Sequence, residues 1–109
     1  MYQSSLPEPE LLKSLLEPLL EDFQYWFGRS QSLLEAETIE FLGDEKQAGL
    51  LARVKQAQAE VGVAQMLFSA TGEQVGIEVA VLVPWHRLVT ECWQVAARFR
   101  SENAANAAE

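Results

Sequence analysis

The chain has 109 residues, 16 acids against 8 bases and a formal net charge of −8. That length suits one domain, and 49% hydrophobic residues exclude wholesale disorder. The excess of acid argues against nucleic acid and anionic membrane surfaces as main partners.

Ala, Glu, Lys, Leu and Arg supply 51 of the 109 residues, while 6 Gly and 4 Pro are too few for an all-β sandwich rich in tight turns. A single cysteine excludes an intramolecular disulfide framework and points to a reducing compartment. The opening MYQSSLPEPE has no basic stretch followed by an apolar core, so no secretory leader is expected. The default is a cytoplasmic protein with no membrane insertion. The single domain spans 1–109, with an ordered core over about 8–101 and a frayed tail over 102–109.

In chain order, Pro7 and Pro9 suit a helix start, and Leu11, Leu12, Leu15, Leu16, Leu19, Leu20, Phe23, Trp26 and Phe27 recur with helical period. Pro18 should bend this helix. The pattern resumes with Leu33, Leu34, Ile39, Phe41 and Leu42, which predicts one bent helix, or two nearly collinear ones, over 8–42 with Gly43 as its C-terminal cap. Asp44 can cap the next helix, with Gln47 reaching back in a variant of the capping box. Gln47, Leu50, Val54, Ala57, Val61, Ala64 and Phe68 then follow a 3-4 spacing, a heptad seam that predicts a helix over 44–70, about 40 Å long. Residues 72–83 alternate in a way that suits an extended segment, an apolar loop or an early helical turn. A last helix is expected to start near Pro84, with Trp85, Cys92 and Phe99 on its inner face and an Arg87–Glu91 pair outside.

Residues 1–45 hold ten acids and two bases, whereas 46–109 hold six of each, so all the excess acid lies in the first helical region. It reads as a solvated face or as a docking surface for a partner with a basic patch. His86 and Cys92 are the only His and the only Cys, and six residues apart on a helix they point about 120° away from each other. No metal site, cofactor or catalytic residue is expected from them. If Pro84 opens the last helix, the amides beside Trp85, His86 and Arg87 are free at the positive end of its dipole. They would hold an anion or a partner's carboxylate, unless Glu35, Glu37 or Glu40 fills the place within the fold. Tyr25 and Trp93 lie off the regular seams and Trp26 flanks Phe23 and Phe27. These rings are either a wide buried face or a partner surface.

The stretches LLKSLLEPLLEDFQYWFGRS (11–30), LLARVKQAQAEVGVAQMLFSATGEQVGIE (50–78) and VLVPWHRLVTECWQVAARFR (81–100) resemble a small cyanobacterial family of unknown function. The resemblance covers about residues 10–100 and implies an oxygenic phototroph and a cytoplasmic or stromal setting. It implies no activity and assigns no site residues.

The expected fold is therefore all-α, a bundle of three long helices with the first bent at Pro18 and a groove that self-association would close. The expected role is a non-enzymatic interaction protein: an adaptor, assembly factor or small regulatory subunit of a cytoplasmic or photosynthetic complex. Its partner surface would be Tyr25, Trp26 and Trp93. The alternative is a bundle with an aromatic pocket for an acyl chain, pigment or small anion.

Overall fold

Apolar side chains at helical spacing drive three helices together. In the computed structural model, which describes residues 9–71 and 79–108, they are α1 (Pro9–Ala36), α2 (Gly43–Thr71) and α3 (Val79–Ala108). The chain is an all-α bundle. α1 contributes Leu16, Leu20, Phe23, Phe27 and Leu34 to the core, α2 contributes Leu50, Val54, Ala57, Val61 and Phe68, and α3 contributes Trp85, Leu88, Val89 and Cys92. The heptad seam of α2 is thus buried, except that Gln47 and Ala64 are half-buried. α1 and α2 pack most extensively, and α3 lies mainly on α1. Among the described residues no helix is long and apolar enough to cross a membrane.

Three boundaries differ from the sequence reading. The first helix continues through Pro18 but stops at Ala36, six residues short of the expected end at 42. Ile39 is fully buried, and Phe41 and Leu42 pack against the core from a loop. Their apolar spacing imitates a helix because a loop folded over a core buries the same residue types. Gly43 is not the cap of α1. It opens α2 with a φ of +80°, a left-handed conformation that side chains disfavour. Asp44 and Glu45 follow in the first turn of α2, where the helix dipole favours acids.

The loop is held by Gln47 instead of by a capping box. Its Oε1 accepts from the Ile39 amide at 2.9 Å, and its Nε2 donates to the Leu34 carbonyl at 2.8 Å and the Glu37 carbonyl at 2.7 Å. Those carbonyls lie at or just beyond the end of α1, where helical partners run out. One amide side chain of α2 therefore closes α1 and seats Ile39.

The last helix is already formed at Val79, so Pro84 is inside it and not its first residue. Pro84 is the sixth residue of α3, so its missing N–H leaves the Ala80 carbonyl without its helical donor. Residues 79–83 of the ambiguous stretch are helical, and 72–78 lie outside the described residues. The expected frayed tail is also helical, to Ala108, although residues 101–107 are exposed. The Arg98 guanidinium lies 4.1 Å from the centre of the Phe41 ring and pairs with Glu102 at 2.8 Å, which ties the start of this extension to the loop. Glu91 pairs across helices with Arg53 at 3.1 and 2.6 Å, not with Arg87. Both side chains are about half exposed, so the pair orients α3 on α2 more than it stabilises them, contributing about 0–1 kcal/mol.

Gln47→Ala should destabilise the protein by about 2 kcal/mol, because it removes the partner of the part-buried Ile39 amide and Leu34 carbonyl together with the exposed bond to the Glu37 carbonyl. A thermal melt should show a drop in Tm of roughly 10 °C, while the exposed Gln56→Ala should change stability by less than about 0.5 kcal/mol. Equal melts for the two variants would show that the clamp does not hold the loop.

Candidate functional site

Two helical stripes face each other across a groove. On α1, Trp26, Arg29, Ser30, Leu33 and Leu34 recur every three to four residues. On α3, Cys92, Trp93, Val95, Ala96, Phe99 and Arg100 do the same, and Leu50 of α2 also lines the space. The space between them is about 480 Å³, which falls within the ordinary range for ligand pockets. Ser30 and Ala96 are the smallest side chains of the two stripes. They are small residues at positions on facing helices where a Leu would have filled the gap.

The three aromatic residues singled out in the sequence meet here. Tyr25 and Trp26 pack edge to face at 5.0 Å and 80°, and Trp26 and Trp93 at 5.3 Å and 84°. Tyr25 is 54% exposed, Trp26 37% and Trp93 45%, so the row lies on the surface and not inside the core. Arg29 donates to the Tyr25 hydroxyl at 3.1 Å, and its guanidinium lies 5.9 Å from the same ring's centre. This fixes the direction of Arg29 along the groove wall.

The anion site expected at Trp85, His86 and Arg87 does not form as drawn. α3 starts at Val79, so their amides are helix-interior. Trp85 is buried, packs edge to face on Phe23 at 5.6 Å, and its indole N–H donates to Glu60 Oε1 at 2.9 Å. The carboxylate there comes from α2, not from Glu35, Glu37 or Glu40, and it meets an indole instead of backbone. His86 and Arg87 are exposed and do not line the groove.

Cys92 reaches the groove wall but stays largely covered. Burial pushes its thiol above the ordinary range. A hydrogen bond with Ser30 opposes that, and the charge of Glu91 adds to it. The group is therefore a neutral thiol at physiological pH and a poor nucleophile. Among the described residues no three of His, Cys, Asp and Glu come close enough to hold a metal ion.

Sequence reasoning missed Arg29, Ser30, Ala96, Phe99 and Arg100 as parts of one site. The signal was present as two stripes at helical spacing, each carrying an Arg and a small residue. That the stripes face each other is a tertiary fact that neither helix encodes alone.

Two outcomes are expected. Because the folded thiol holds its proton to higher pH than the unfolded one, alkylation of native Cys92 by iodoacetamide should lag a free thiol (ordinary pKa ~8.5) and accelerate only above that pH. Stability should correspondingly decline on the alkaline side of ~8.5 and be unaffected below it. A native rate equal to that of the urea-unfolded chain at pH 8 contradicts the burial. Secondly, Ala96→Leu should fill the groove and leave Tm unchanged or raised, worth about 0.5–2 kcal/mol. A lower Tm would mean that the space is not available.

The chain belongs to the family described as "Protein of unknown function (DUF2605)", which it matches over residues 6–101. No curated protein and no solved structure matches it.

Proposed function

We propose, for this member of a family of unknown function, a non-enzymatic interaction protein that holds its partner along the α1–α3 groove. The supporting observation is the exposed row of Tyr25, Trp26 and Trp93 bordering an apolar space that the described residues leave open. Leaving three large rings partly exposed in one row costs solubility, and Trp and Tyr are the residue types that most often anchor protein contacts. The rings already pack on one another, so little side-chain freedom is lost on binding. The protonated Cys92 thiol, with His86 outside the groove, supports a role without covalent chemistry.

The class of role is adaptor, assembly factor or small regulatory subunit. With the resemblance to cyanobacterial sequences, the setting we propose is a cytoplasmic or photosynthetic complex of an oxygenic phototroph. The cations that line the groove are Arg29 and Arg100.

A second reading is favoured by the volume of the groove. About 480 Å³ with two arginines would also suit a small amphiphile, such as an acyl chain with an acidic head. A second copy of the chain closing the groove is the third.

Photo-crosslinking separates these readings. With a benzophenone amino acid at position 93, we expect one discrete protein adduct in the cells that make the chain, and none from position 56 on exposed α2. Trp26→Ala should weaken that adduct, since removing a hot-spot ring costs about 2 kcal/mol or more. Equal adducts from both positions, or none from 93, would overturn the proposal. A co-purifying small molecule in native mass spectrometry would move the assignment to the second reading.

A further inference from the structure

The charge of the groove runs against the charge of the chain. The protein carries −8, and α1 itself carries exposed Glu17, Glu21 and Asp22. Yet among the described residues no Asp or Glu lines the groove, while Arg29 and Arg100 both do. Other cations are satisfied at home: Arg53 by Glu91, Lys55 by Glu35 and Arg98 by Glu102. Arg29 and Arg100 make no ion pair among the described residues, and both are exposed. Lys46 and Arg87 also make none, but they do not line the groove. Arg29 is moreover held in place by Tyr25.

Resting on the interaction reading above, we infer that the groove recognises an acidic amphipathic segment of another protein. Its large apolar side chains enter between Trp26, Trp93 and Phe99, and one or two of its carboxylates meet Arg29 and Arg100. A neutral or basic segment seated there would strip water from two guanidinium groups without replacing it, and a buried uncompensated cation is costly. A carboxylate answers an arginine in a two-point, directional pair. The groove thus selects for acid beside an apolar anchor, the opposite of the basic partner suggested by the acidic first region.

The geometry favours a protein segment over a free amphiphile. Small-ligand sites enclose most of their occupant. This groove is bounded by two helices and one residue of a third, and its aromatic row continues past the lining to exposed Tyr25. A helix laid between α1 and α3 would cover that row and take the place of a fourth helix, presenting anchors at three- and four-residue spacing.

The test is selection of random 16-residue peptides displayed on phage, panned on the full chain. The expected winners place Asp or Glu within a turn of Leu, Phe or Trp. As synthetic peptides they should bind one to one, with a change in tryptophan fluorescence and an affinity that falls with salt. Arg29→Gln with Arg100→Gln should weaken them at least tenfold with little change in the melt, because both side chains are exposed, neither makes an ion pair among the described residues, and the Arg29–Tyr25 contact lies on the surface. Peptides that lose binding in Trp93→Ala but ignore both arginine changes would leave the interaction reading standing and overturn the acidic one. Winners that do not depend on Trp93, or no winners at all, would overturn both. Two controls also count against the inference. One is oleate binding one to one and displacing the peptides. The other is a dimer of the chain alone in sedimentation velocity that Arg29→Glu with Arg100→Glu dissolves.

Discussion

The Gln47 side chain is the constraint from which the rest of the bundle follows. A helix end leaves carbonyls without partners, and a tight connection to the next helix has few residues with which to satisfy them. Here one amide satisfies the Leu34 and Glu37 carbonyls and the Ile39 N–H together. Because the bonds come from the second turn of α2, they close α1 and set the register of α2 against it in one step. Ile39 can then be buried, and Phe41 is left where Arg98 of α3 covers it. The place of α3 along α1, and with it the groove, depends on that loop.

The parts of the fold that were legible in the sequence are those governed by repeated spacing. The seam from Leu50 to Phe68 is buried because residues three and four apart share a face whatever lies opposite. The all-α class follows from composition and period for the same reason. The end of α1 was not legible, because Ile39, Phe41 and Leu42 are apolar and fall near helical spacing, while the residue that ends the helix lies in the next one. Gln47 reads as a seam position and as reaching back to the cap at Asp44, but nothing in its spacing points eight residues back to Ile39. The start of α3 was misplaced because proline suits the first turn of a helix, whereas this helix runs through Pro84 at the cost of one helical hydrogen bond.

Of the candidate site only the aromatic residues were singled out in the sequence, and not their assembly with the arginines and small residues of the groove. Tyr25 and Trp93 stood out because they leave the seams, and both are exposed as a partner surface requires. Their connection through Trp26 depends on how α3 lies on α1. The Trp85–His86–Arg87 segment failed for a related reason. Its chemistry required free amides, which exist only where a helix begins, and moving that start to Val79 removed them. Trp85 is a core ring, as its place on the inner face of the helix implied, and its one polar atom is answered by Glu60 instead of serving an anion.

The groove shows where stability and function pull apart. Ser30 and Ala96 leave space between two helices unfilled, and a larger apolar side chain at either position would bury more apolar surface at about 25 cal/mol per Å². Selection for stability alone would fill such a space, as it does along the α1–α2 face, where Leu20, Phe27, Val54 and Val61 are buried almost completely. The same chain leaves three rings exposed, two arginines unpaired among the described residues and a void between two stripes. Each of these features costs the isolated protein something, and each is recovered when an apolar, acidic segment fills the groove. These features fall together along the α1–α3 groove, whereas the more extensive α1–α2 contact is the part of the molecule that folds it.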